Sequence, residues 1–454
     1  VGLFALSANS EDVDRRIKGM DLMQCVNGDL LIQVSVQQGD PFLDEETLRI
    51  TGAKMMNRWG HLVDVAVPES SIIEFAHRLP SSYYMSSIHE EEENNNGPDS
   101  LNSISYVQNG FNGTGIKIGL VDNGFSDTVN TVIAAALSNG TPVIDTINWR
   151  TSTSSFSSGG DRHGTGCLEV LLDHAPGAEY YVHRASSDAE FLLAFDSLIA
   201  EGVDLISISV ARRNRGWDDD SGDRCLALNN AANAGILIFN SMGNEALRHW
   251  QGDFNDGLTS DFVHEWVDGD IWLDVPGGVP GINGTDTSDI QIEMQWPDDG
   301  VDRYDMYLVD VNTGTQLDAS FNTNWNERID WSNNTNAAIT PAIWVLARTS
   351  IRPEFEIFVD RNVEYPIAES SLETPSNSTH PYSIPVANVM APSYGSPSGS
   401  QNIVSASSSW GPTNGGHTAP ELTGMSVSPG IAYPNGFGGT SCATPNAAGA
   451  TAAF

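Results

Sequence analysis

Three polar residues of the chain have side chains that together suit acyl transfer. Asp122 ends the apolar stretch IGLVD, His163 stands in DRHGTG, and Ser441 stands in GGTSCATP. In such a set the imidazole takes the proton from the serine hydroxyl, and the carboxylate holds the imidazole in the tautomer that accepts it. The small residues around Ser441 let a substrate backbone approach the hydroxyl. The sequence therefore predicts an acyl-transfer site built from these three side chains.

Two further features predict stabilisation of a developing oxyanion. Ser441 opens a predicted helix, whose unpaired N–H groups and dipole favour negative charge at that end. Asn244 closes the apolar strand pattern GILIFNSMGN. Its side-chain amide is placed to donate a second hydrogen bond. Asn244 and the backbone N–H of Ser441 are therefore the predicted oxyanion donors.

The elements that must position these residues indicate an α/β fold. Apolar strand patterns alternate with helical patterns over residues 115–244, which is typical of a parallel sheet covered by helices on both faces. Functional residues in such sheets stand at the carboxyl ends of strands. Over residues 251–380, short alternating stretches with Asp-, Gly- and Asn-rich turns predict an antiparallel β-sandwich. We therefore predict a doubly wound, mostly parallel sheet that is interrupted by a β-sandwich.

The N-terminal part of the chain predicts a separate small α+β unit. The stretches 29–37 and 60–68 alternate like half-buried strands, and 69–80 has the pattern of a capped amphipathic helix. The charged and polar stretch 89–100 indicates a linker. The predicted domains are an N-terminal unit with its linker at 1–96, a first catalytic part at 97–250, an inserted sandwich at 251–380 and a second catalytic part at 381–454.

The composition excludes several classes of partner and site. With 21 basic and 59 acidic residues in 454, the net charge is −38, which argues against nucleic acid as a partner. The sequence has no apolar run long enough to span a membrane. The four cysteines include no C-x-x-C pair, which disfavours structural zinc and leaves three disulfide pairings open. We expect no cofactor for the chemistry; calcium suits the Asp-rich turns as a stabilising ion, although no calcium-loop motif identifies a site.

The motifs around the three residues resemble those of the subtilisin family of serine proteases. GTSCATP at 439–445 resembles the family's G-T-S-x-A-x-P, and HGT at 163–165 and DNG at 122–124 resemble its other two motifs. Asn123 departs from the family, which usually has Ser or Thr there. The resemblance covers roughly 104–250 and 381–454. It implies a secreted endopeptidase in which Ser441 attacks the scissile carbonyl, His163 is general base and then general acid, and Asp122 orients His163.

The resemblance also implies a substrate site and an internal inhibitor. Ser209 and Val210 would pair with the backbone of a polypeptide substrate, and Ser241 and Gly243 would line the opposite edge of the specificity pocket. The N-terminal unit would be a propeptide that assists folding and inhibits the enzyme, so that the chain would be a zymogen. The β-sandwich resembles accessory modules of some secreted members of the family.

A hypothesis of another class stays open beside the peptidase. The chain would then be a catalytically idle structural or adhesive protein of the same fold, with the β-sandwich as a binding module. The uncleaved linker at 89–103 and the end of the chain soon after the serine helix leave room for that hypothesis. Substrate preference and oligomeric state do not follow from the sequence.

The basic stretch ARRNRGW at 211–217 stands out in this acidic chain. It directly follows the strand that the resemblance assigns to substrate pairing. One hypothesis is that Arg212, Arg213 and Arg215 attract acidic residues of a substrate, or the acidic segment 90–93 of the linker. The alternative is a solvated loop whose arginines form structural ion pairs.

Overall fold

A computed structural model of the chain gives two compact units, Val1–Glu92 and Glu93–Phe454. The linker predicted at 89–100 lies outside the described residues, and the four-part domain division stays a prediction. The structure describes residues 25–26, 29–35, 45–59, 62–79, 84–87, 107, 109–126, 129, 131–133, 147–151, 162–185, 187–213, 215–257, 262–267, 269–282, 288–297, 303–321, 325–390 and 404–454.

The described residues of the N-terminal unit form one antiparallel sheet and two short α-helices. Its strands and helices are β1 (Cys25–Val26), β2 (Asp29–Ser35), α1 (Glu45–Thr51), β3 (Lys54–Trp59), β4 (Leu62–Pro68), α2 (Ile72–Arg78) and β5 (Tyr84–Ser87). The strand order is β1-β2-β4-β3, with β5 also paired to β2. Val34, Val65 and Val67 alternate with residues of the other face, and they share a buried core with Phe75 of α2. The period-two pattern of the strands and the apolar face of α2 therefore meet in one small core.

The second unit is built on a seven-stranded parallel sheet, as the α/β pattern predicts. The strand order is β20-β19-β10-β9-β6-β8-β7, and every neighbouring pair is parallel. Its elements are β6 (Lys117–Asp122), β7 (Ile147–Thr151), α3 (His163–His174), β8 (Glu179–Arg184), α4 (Asp188–Glu201), β9 (Leu205–Ile208), α5 (Asp223–Asn233), β10 (Leu237–Ser241), β19 (Ser383–Met390), β20 (Leu422–Ser426) and α6 (Thr440–Ala453).

Helices cover both faces of this sheet. Leu120 of β6 belongs to a core that includes α3 and α6, whereas its neighbour Val121 belongs to a second core that includes α4 and α5. Successive residues of a strand point to opposite faces, so adjacent apolar residues enter different cores. This explains why the strands appear in the sequence as continuous apolar runs, and it confirms the doubly wound arrangement.

Two antiparallel sheets lie between β10 and β19 in the chain. One has the order β11-β18-β13-β16 and the other β12-β17-β14-β15, and residues of both form a common buried core. Their strands are β11 (His249–Gly252), β12 (Leu273–Asp274), β13 (Asp289–Gln295), β14 (Tyr304–Asp310), β15 (Thr315–Ser320), β16 (Asn326–Ser332), β17 (Pro341–Ala347) and β18 (Phe355–Val359). The predicted boundary at 250/251 falls inside β11, whose Trp250 belongs to this core. The sandwich as a separate inserted module stays a prediction.

A buried polar contact ties α3 to α6. His174 Nε2 lies 2.9 Å from Asn446 Oδ1, and Asn446 Nδ2 donates to the carbonyls of Met425 and Cys442. Because Asn446 Oδ1 only accepts, His174 carries its proton on Nε2. Burial lowers the pKa of His174 to about 4, although the hydrogen bond to Asn446 partly opposes that change.

Acidification is expected to weaken the fold through His174. The unfolded chain binds a proton at this residue below about pH 6.5, whereas the folded protein binds it only near pH 4. The free energy of unfolding therefore loses up to about 3 kcal/mol from this residue as the pH falls through that range. The variant His174→Gln keeps an N–H donor for Asn446 but has no group that binds a proton in this pH range.

Chemical denaturation of wild type and His174→Gln between pH 7 and pH 4 measures this contribution. We expect the stability advantage of the wild type to shrink as the pH falls. The control is His380→Gln at a partly buried ring, which should show the wild-type pH dependence. A wild-type advantage that is the same at pH 7 and pH 4 would contradict the assignment.

Candidate active site

The carboxyl ends of three neighbouring strands bring the predicted site residues to one edge of the sheet. β10, β9 and β6 are adjacent and parallel. Asp122 is the last residue of β6, Ser209 directly follows β9, and Asn244 follows β10. Residues that stand far apart in the chain therefore emerge side by side, where α/β sheets commonly hold functional groups.

Asp122 and His163 form a close pair at this edge. His163 Nδ1 lies 2.9 Å from both carboxylate oxygens of Asp122. The carboxylate is fully buried, while the His163 side chain is 27% exposed. Asp122 also accepts a hydrogen bond from the Asn123 N–H, at 2.8 Å. Since a carboxylate only accepts, the ring donates its Nδ1–H, which leaves Nε2 as the basic nitrogen.

The first turn of α3 lies unusually close to the end of β6. The Gly164 N–H donates to the Gly124 carbonyl at 2.8 Å. A Cβ at position 164 would come within 2.6 Å of that carbonyl oxygen and within 2.8 Å of Asp122 Cβ. Only glycine fits this space, so the glycine after His163 is what allows the ring to reach the Asp122 carboxylate.

Ser441 stands in the first turn of α6, and Pro445 determines the hydrogen bonding of its carbonyl. Proline has no N–H, so the Ser441 carbonyl lacks the helical partner that residue 445 would otherwise supply. It accepts instead from Ser209 Oγ at 3.0 Å and from Cys167 Sγ at 3.6 Å. Cys167 lies one turn after His163 on α3. The serine turn is thus fixed both to the end of β9 and to the helix that carries His163.

Asn244 is fixed to the same turn through its carbonyl oxygen. Asn244 Oδ1 accepts a hydrogen bond from the Thr440 N–H at 3.1 Å. Gly439, the residue before α6, has φ +76°, and a Cβ there would lie 3.0 Å from Asn244 Oδ1. Glycine therefore permits both the left-handed turn and the close approach of Asn244. With Oδ1 accepting from the residue before Ser441, Nδ2 is the atom of the amide that can donate.

A cleft of about 520 Å³ opens beside His163. Ser209 and Val210 line it, as expected for residues that pair with a substrate backbone. Ser241 ends β10 and Gly243 follows it, but neither residue is among those that line this cleft. The described lining therefore includes the predicted pairing residues and His163, and it includes neither the two residues of the opposite edge nor Ser441 and Asn244.

Residues that sequence reasoning missed enclose His163 from the side. Tyr433 lines the cleft and stacks on Phe437, whose ring meets the His163 ring edge-on at 5.5 Å between centroids. Glu169 holds this loop, because its buried carboxylate accepts from the N–H groups of Ile431 and Ala432. Burial raises the pKa of Glu169, while the two backbone N–H donors oppose that rise. In the sequence, the one indication of a role for these residues is that their segment directly precedes the helix that carries Ser441.

Cys167 adds a thiol to the group. Its sulfur, a carboxylate oxygen of Asp122 and a ring nitrogen of His163 all lie within 4.8 Å of one another, a spacing that also suits metal ligands. Burial and the nearby Asp122 raise the pKa of Cys167 well above its usual value. In these surroundings the neutral thiol is favoured over the thiolate. The described cysteine side chains, Cys167, Cys225 and Cys442, are buried free thiols.

The three arginines of the stretch 211–217 have different environments. Arg213 is buried and forms ion pairs with Glu245 and Glu373, and Arg215 pairs with Asp188. The hypothesis that all three attract acidic groups of a substrate or of the linker is therefore wrong for Arg213, because its charge is paired with these two carboxylates. Arg212 lines the cleft, together with Arg224, which the sequence did not single out.

Comparisons with known proteins bear on the fold. No family model and no curated protein matches the chain. Among solved structures, the CspB protease of Clostridium perfringens is similar, with a TM-score of 0.50 and 15% identity over 78% of this chain and 87% of that chain. The self-cleaved protease domain of PatA gives a TM-score of 0.32 with 10% identity, covering 74% of this chain and 78% of that chain. MycP1 with its N-terminal propeptide removed gives a TM-score of 0.34 with 13% identity, covering 79% of this chain and 82% of that chain.

These findings correct the assignment made from the motifs. The membership in the subtilisin family that the motifs suggested is wrong as a sequence relationship, since no family model matches. The short motifs are too small a part of the chain to establish a family. The parallel sheet with additional antiparallel sheets is consistent with a subtilisin-like fold, and the likeness to the CspB protease concerns the fold alone.

Proposed function

We propose that the chain is a serine endopeptidase that hydrolyses peptide bonds through an acyl-enzyme. The observation that carries the proposal is the contact of His163 Nδ1 with both oxygens of the buried Asp122, on a helix that also bonds the Ser441 carbonyl. A ring held in this way keeps Nε2 as its basic nitrogen, and His163 lines the cleft. The fold of a protease with a similar structure is compatible with this activity.

Each group has one role in the proposed reaction. Nε2 of His163 takes the proton of Ser441 Oγ as the oxygen attacks the scissile carbonyl, and then gives that proton to the leaving amine. Asp122 keeps the ring in the accepting tautomer and stabilises the imidazolium that forms. Asn244 Nδ2 and the Ser441 N–H donate to the oxyanion, where a missing donor typically costs about 10²–10³ in kcat. Water then releases the acyl group by the same proton transfers in reverse order.

The substrate and the biological setting are also proposals. A polypeptide would pair with Ser209 and Val210 along the cleft, as an added strand pairs with a sheet edge. The reaction needs no cofactor, because nucleophile, base and oxyanion donors all come from the chain. We propose a secreted enzyme whose N-terminal unit is an inhibitory propeptide. None of the described helices is long and apolar enough to cross a bilayer.

Covalent labelling with an alkyl fluorophosphonate tests the proposal. We expect one adduct on wild type, mapped to Ser441 by peptide mass, and none on Ser441→Ala. Ser187→Ala, which removes the cap of α4 far from the reacting groups in sequence, is the matched serine control and should still be labelled. The same intact masses report self-cleavage, expected as a new N-terminus near residue 97 in wild type only.

Either of two results would overturn the proposal. Absence of an adduct on wild type would mean that the three groups do not act as an activated serine. An adduct on a residue other than Ser441 would place the reactive nucleophile elsewhere. An intact linker with a labelled Ser441 would retain the peptidase and remove the self-processing zymogen.

A further inference from the structure

The segment that precedes the serine helix folds back on itself. Ser428 and Phe437 exchange two backbone hydrogen bonds, with N···O distances of 2.9 Å and 2.7 Å. Inside this closure the Tyr433 carbonyl accepts from the Gly436 N–H at 2.9 Å. We call residues 428–437 the closed loop. Its own backbone fixes its shape, so what remains to be fixed is its position on the rest of the unit.

Two rings of the closed loop lie beside His163. The Phe437 ring meets the His163 ring edge-on, at 5.5 Å between centroids, and Tyr433 stacks on Phe437 at 4.8 Å. The guanidinium of Arg162, the residue before His163, lies 4.3 Å from the centroid of the Tyr433 ring. Phe437 is only 5% exposed, so neighbouring groups enclose it. While Asp122 holds Nδ1, Phe437 therefore limits how far the His163 ring can turn.

Helix α3 receives these rings at a glycine. A Cβ at position 166 would lie 2.9 Å from Tyr433 Cε2 and 3.3 Å from Phe437 Cδ1. Gly166 therefore lets both rings pack directly on the helix. Apolar packing is not directional, so it favours contact but does not by itself hold the closed loop in one position.

Glu169 supplies directional contacts one turn after Gly166. Its two carboxylate oxygens accept from adjacent N–H groups of the closed loop, Oε1 from Ile431 at 2.7 Å and Oε2 from Ala432 at 3.0 Å. Glu169 is buried, with 5% of the residue exposed. Hydrogen bonds to an ionised group are about twice as strong as neutral ones. An ionised carboxylate also has two acceptor oxygens and no donor, which is what two adjacent N–H groups require.

We propose that Glu169 is a positioning residue whose two hydrogen bonds hold the closed loop, so that Phe437 keeps the His163 ring against Asp122. The inference rests on the proposed peptidase function and adds to it a residue that acts on the general base through the loop. Without these hydrogen bonds the closed loop shifts on its apolar contacts, and the His163 ring, which is 27% exposed, turns away from Asp122 for part of the time. Ser441 then reacts only during the remaining fraction.

The rate of fluorophosphonate labelling tests this inference at the reacting groups. Glu169→Gln keeps the size of the side chain but replaces one acceptor by an NH₂ group that faces an N–H donor. We expect Ser441 to be labelled about tenfold more slowly, as for a base that is in place about a tenth of the time. Glu169→Asp keeps both acceptors on a side chain one CH₂ shorter and should be labelled at an intermediate rate. It decides the question if Glu169→Gln does not fold.

Phe437→Leu tests the second contact of the proposed pathway. It removes the ring that meets His163 and should slow labelling to a similar extent. Because both changes act through the same contact, the double variant Glu169→Gln/Phe437→Leu should be labelled little more slowly than the slower single variant. Full multiplication of the two losses would show that Glu169 and Phe437 act independently.

A proton NMR signal reports the position of His163 without any reaction. The Nδ1 proton that His163 donates to Asp122 gives a separate low-field signal when it is protected from water, and its absence in His163→Gln identifies it. We expect this signal to be sharp in the wild type and broadened in Glu169→Gln and Phe437→Leu. Lost stability alone would not broaden it at a temperature where the variant is fully folded.

Tyr180→Phe is the matched structural control. The Tyr180 hydroxyl donates to the carbonyls of Leu171 and Ala175, at the opposite end of α3 from His163. Its removal should lower the melting temperature, because two buried carbonyls lose a donor. The labelling rate should stay within about twofold of the wild type, since distant sites act independently. The low-field signal should remain.

The outcomes separate this inference from the peptidase proposal. A wild-type labelling rate in Glu169→Gln would overturn the inference and leave the peptidase, since Ser441 is still labelled. Full multiplication of the losses in the double variant would also overturn it. If the wild type is not labelled, the peptidase is removed. A low-field signal that is broadened in Glu169→Gln but not in Tyr180→Phe would then still establish that Glu169 positions His163.

Discussion

On the proposed mechanism, asparagine in place of Asp122 is expected to lower the kcat for peptide hydrolysis about 10⁴-fold with little change in KM. The Asn123 N–H, which now donates to Asp122 Oδ1, would hold the amide oxygen at that position. The amide NH₂ would then face His163 Nδ1 from the Oδ2 position, at the present 2.9 Å. A donor there forces the ring proton onto Nε2, so His163 no longer accepts the proton of Ser441.

Rates of casein hydrolysis and of fluorophosphonate labelling measure this effect independently. Both should fall together in Asp122→Asn, because both depend on proton removal from Ser441. Asp173→Asn is the matched control, since this carboxyl lies on the helix of His163 and burial raises its pKa well above its usual value. It should keep activity within a few fold. A loss below tenfold in Asp122→Asn would show that Asp122 does not set the tautomer.

The sequence predicted the parallel sheet and the edge that holds the candidate site. Continuous apolar runs such as that of β6 predict strands buried on both faces, and Leu120 and Val121 do enter separate cores. The polar residue that ends such a run must then lie at the carboxyl edge of the sheet. This local pattern was enough to predict that Asp122 and Asn244 lie at the same edge, whereas Ser209 was indicated only by the resemblance of the motifs.

The contacts that fix the site could not be predicted in the same way. Ser209 and Ser441 are 232 positions apart, and so their hydrogen bond depends on the completed fold. The effect of Pro445 likewise depends on the completed fold, because the donors that replace its missing N–H are Ser209 Oγ and Cys167 Sγ from other elements. Arg224 lies on a helix whose pattern gives no indication that its side chain reaches the cleft. The motifs, finally, indicated a family that no family model supports. A few residues around a site reflect the chemistry of that site, and they carry little information about the ancestry of the whole chain.

Arg213 lies in a buried group of carboxylates between the parallel sheet and the antiparallel sheets. Its guanidinium contacts Glu245 at 2.5 Å and Glu373 at 3.5 Å, and the three side chains are 12%, 7% and 11% exposed. Glu293 of β13 also interacts with the charge of Arg213. Burial, and then Glu245, raises the pKa of Glu373 to about 8 against the opposing charge of Arg213. One cation therefore stabilises carboxylates from several parts of the unit.

Arg213→Met is expected to lower the free energy of unfolding by about 3–5 kcal/mol, because it leaves buried carboxylates without their cation. Without Arg213 the carboxylates favour protonation in the folded state, so the loss should be larger at pH 8 than at pH 5.

Chemical denaturation at the two pH values measures both effects. Arg215→Met, two residues further on, removes a side chain that is 52% exposed in its pair with Asp188, and it should cost less than about 1 kcal/mol. At pH 8, Glu373→Gln added to Arg213→Met should restore part of the stability, since it removes a carboxyl that the unfolded chain ionises more readily than the folded protein does. A double variant no more stable than Arg213→Met, or a loss equal to that of Arg215→Met, would show that Arg213 does not hold this junction.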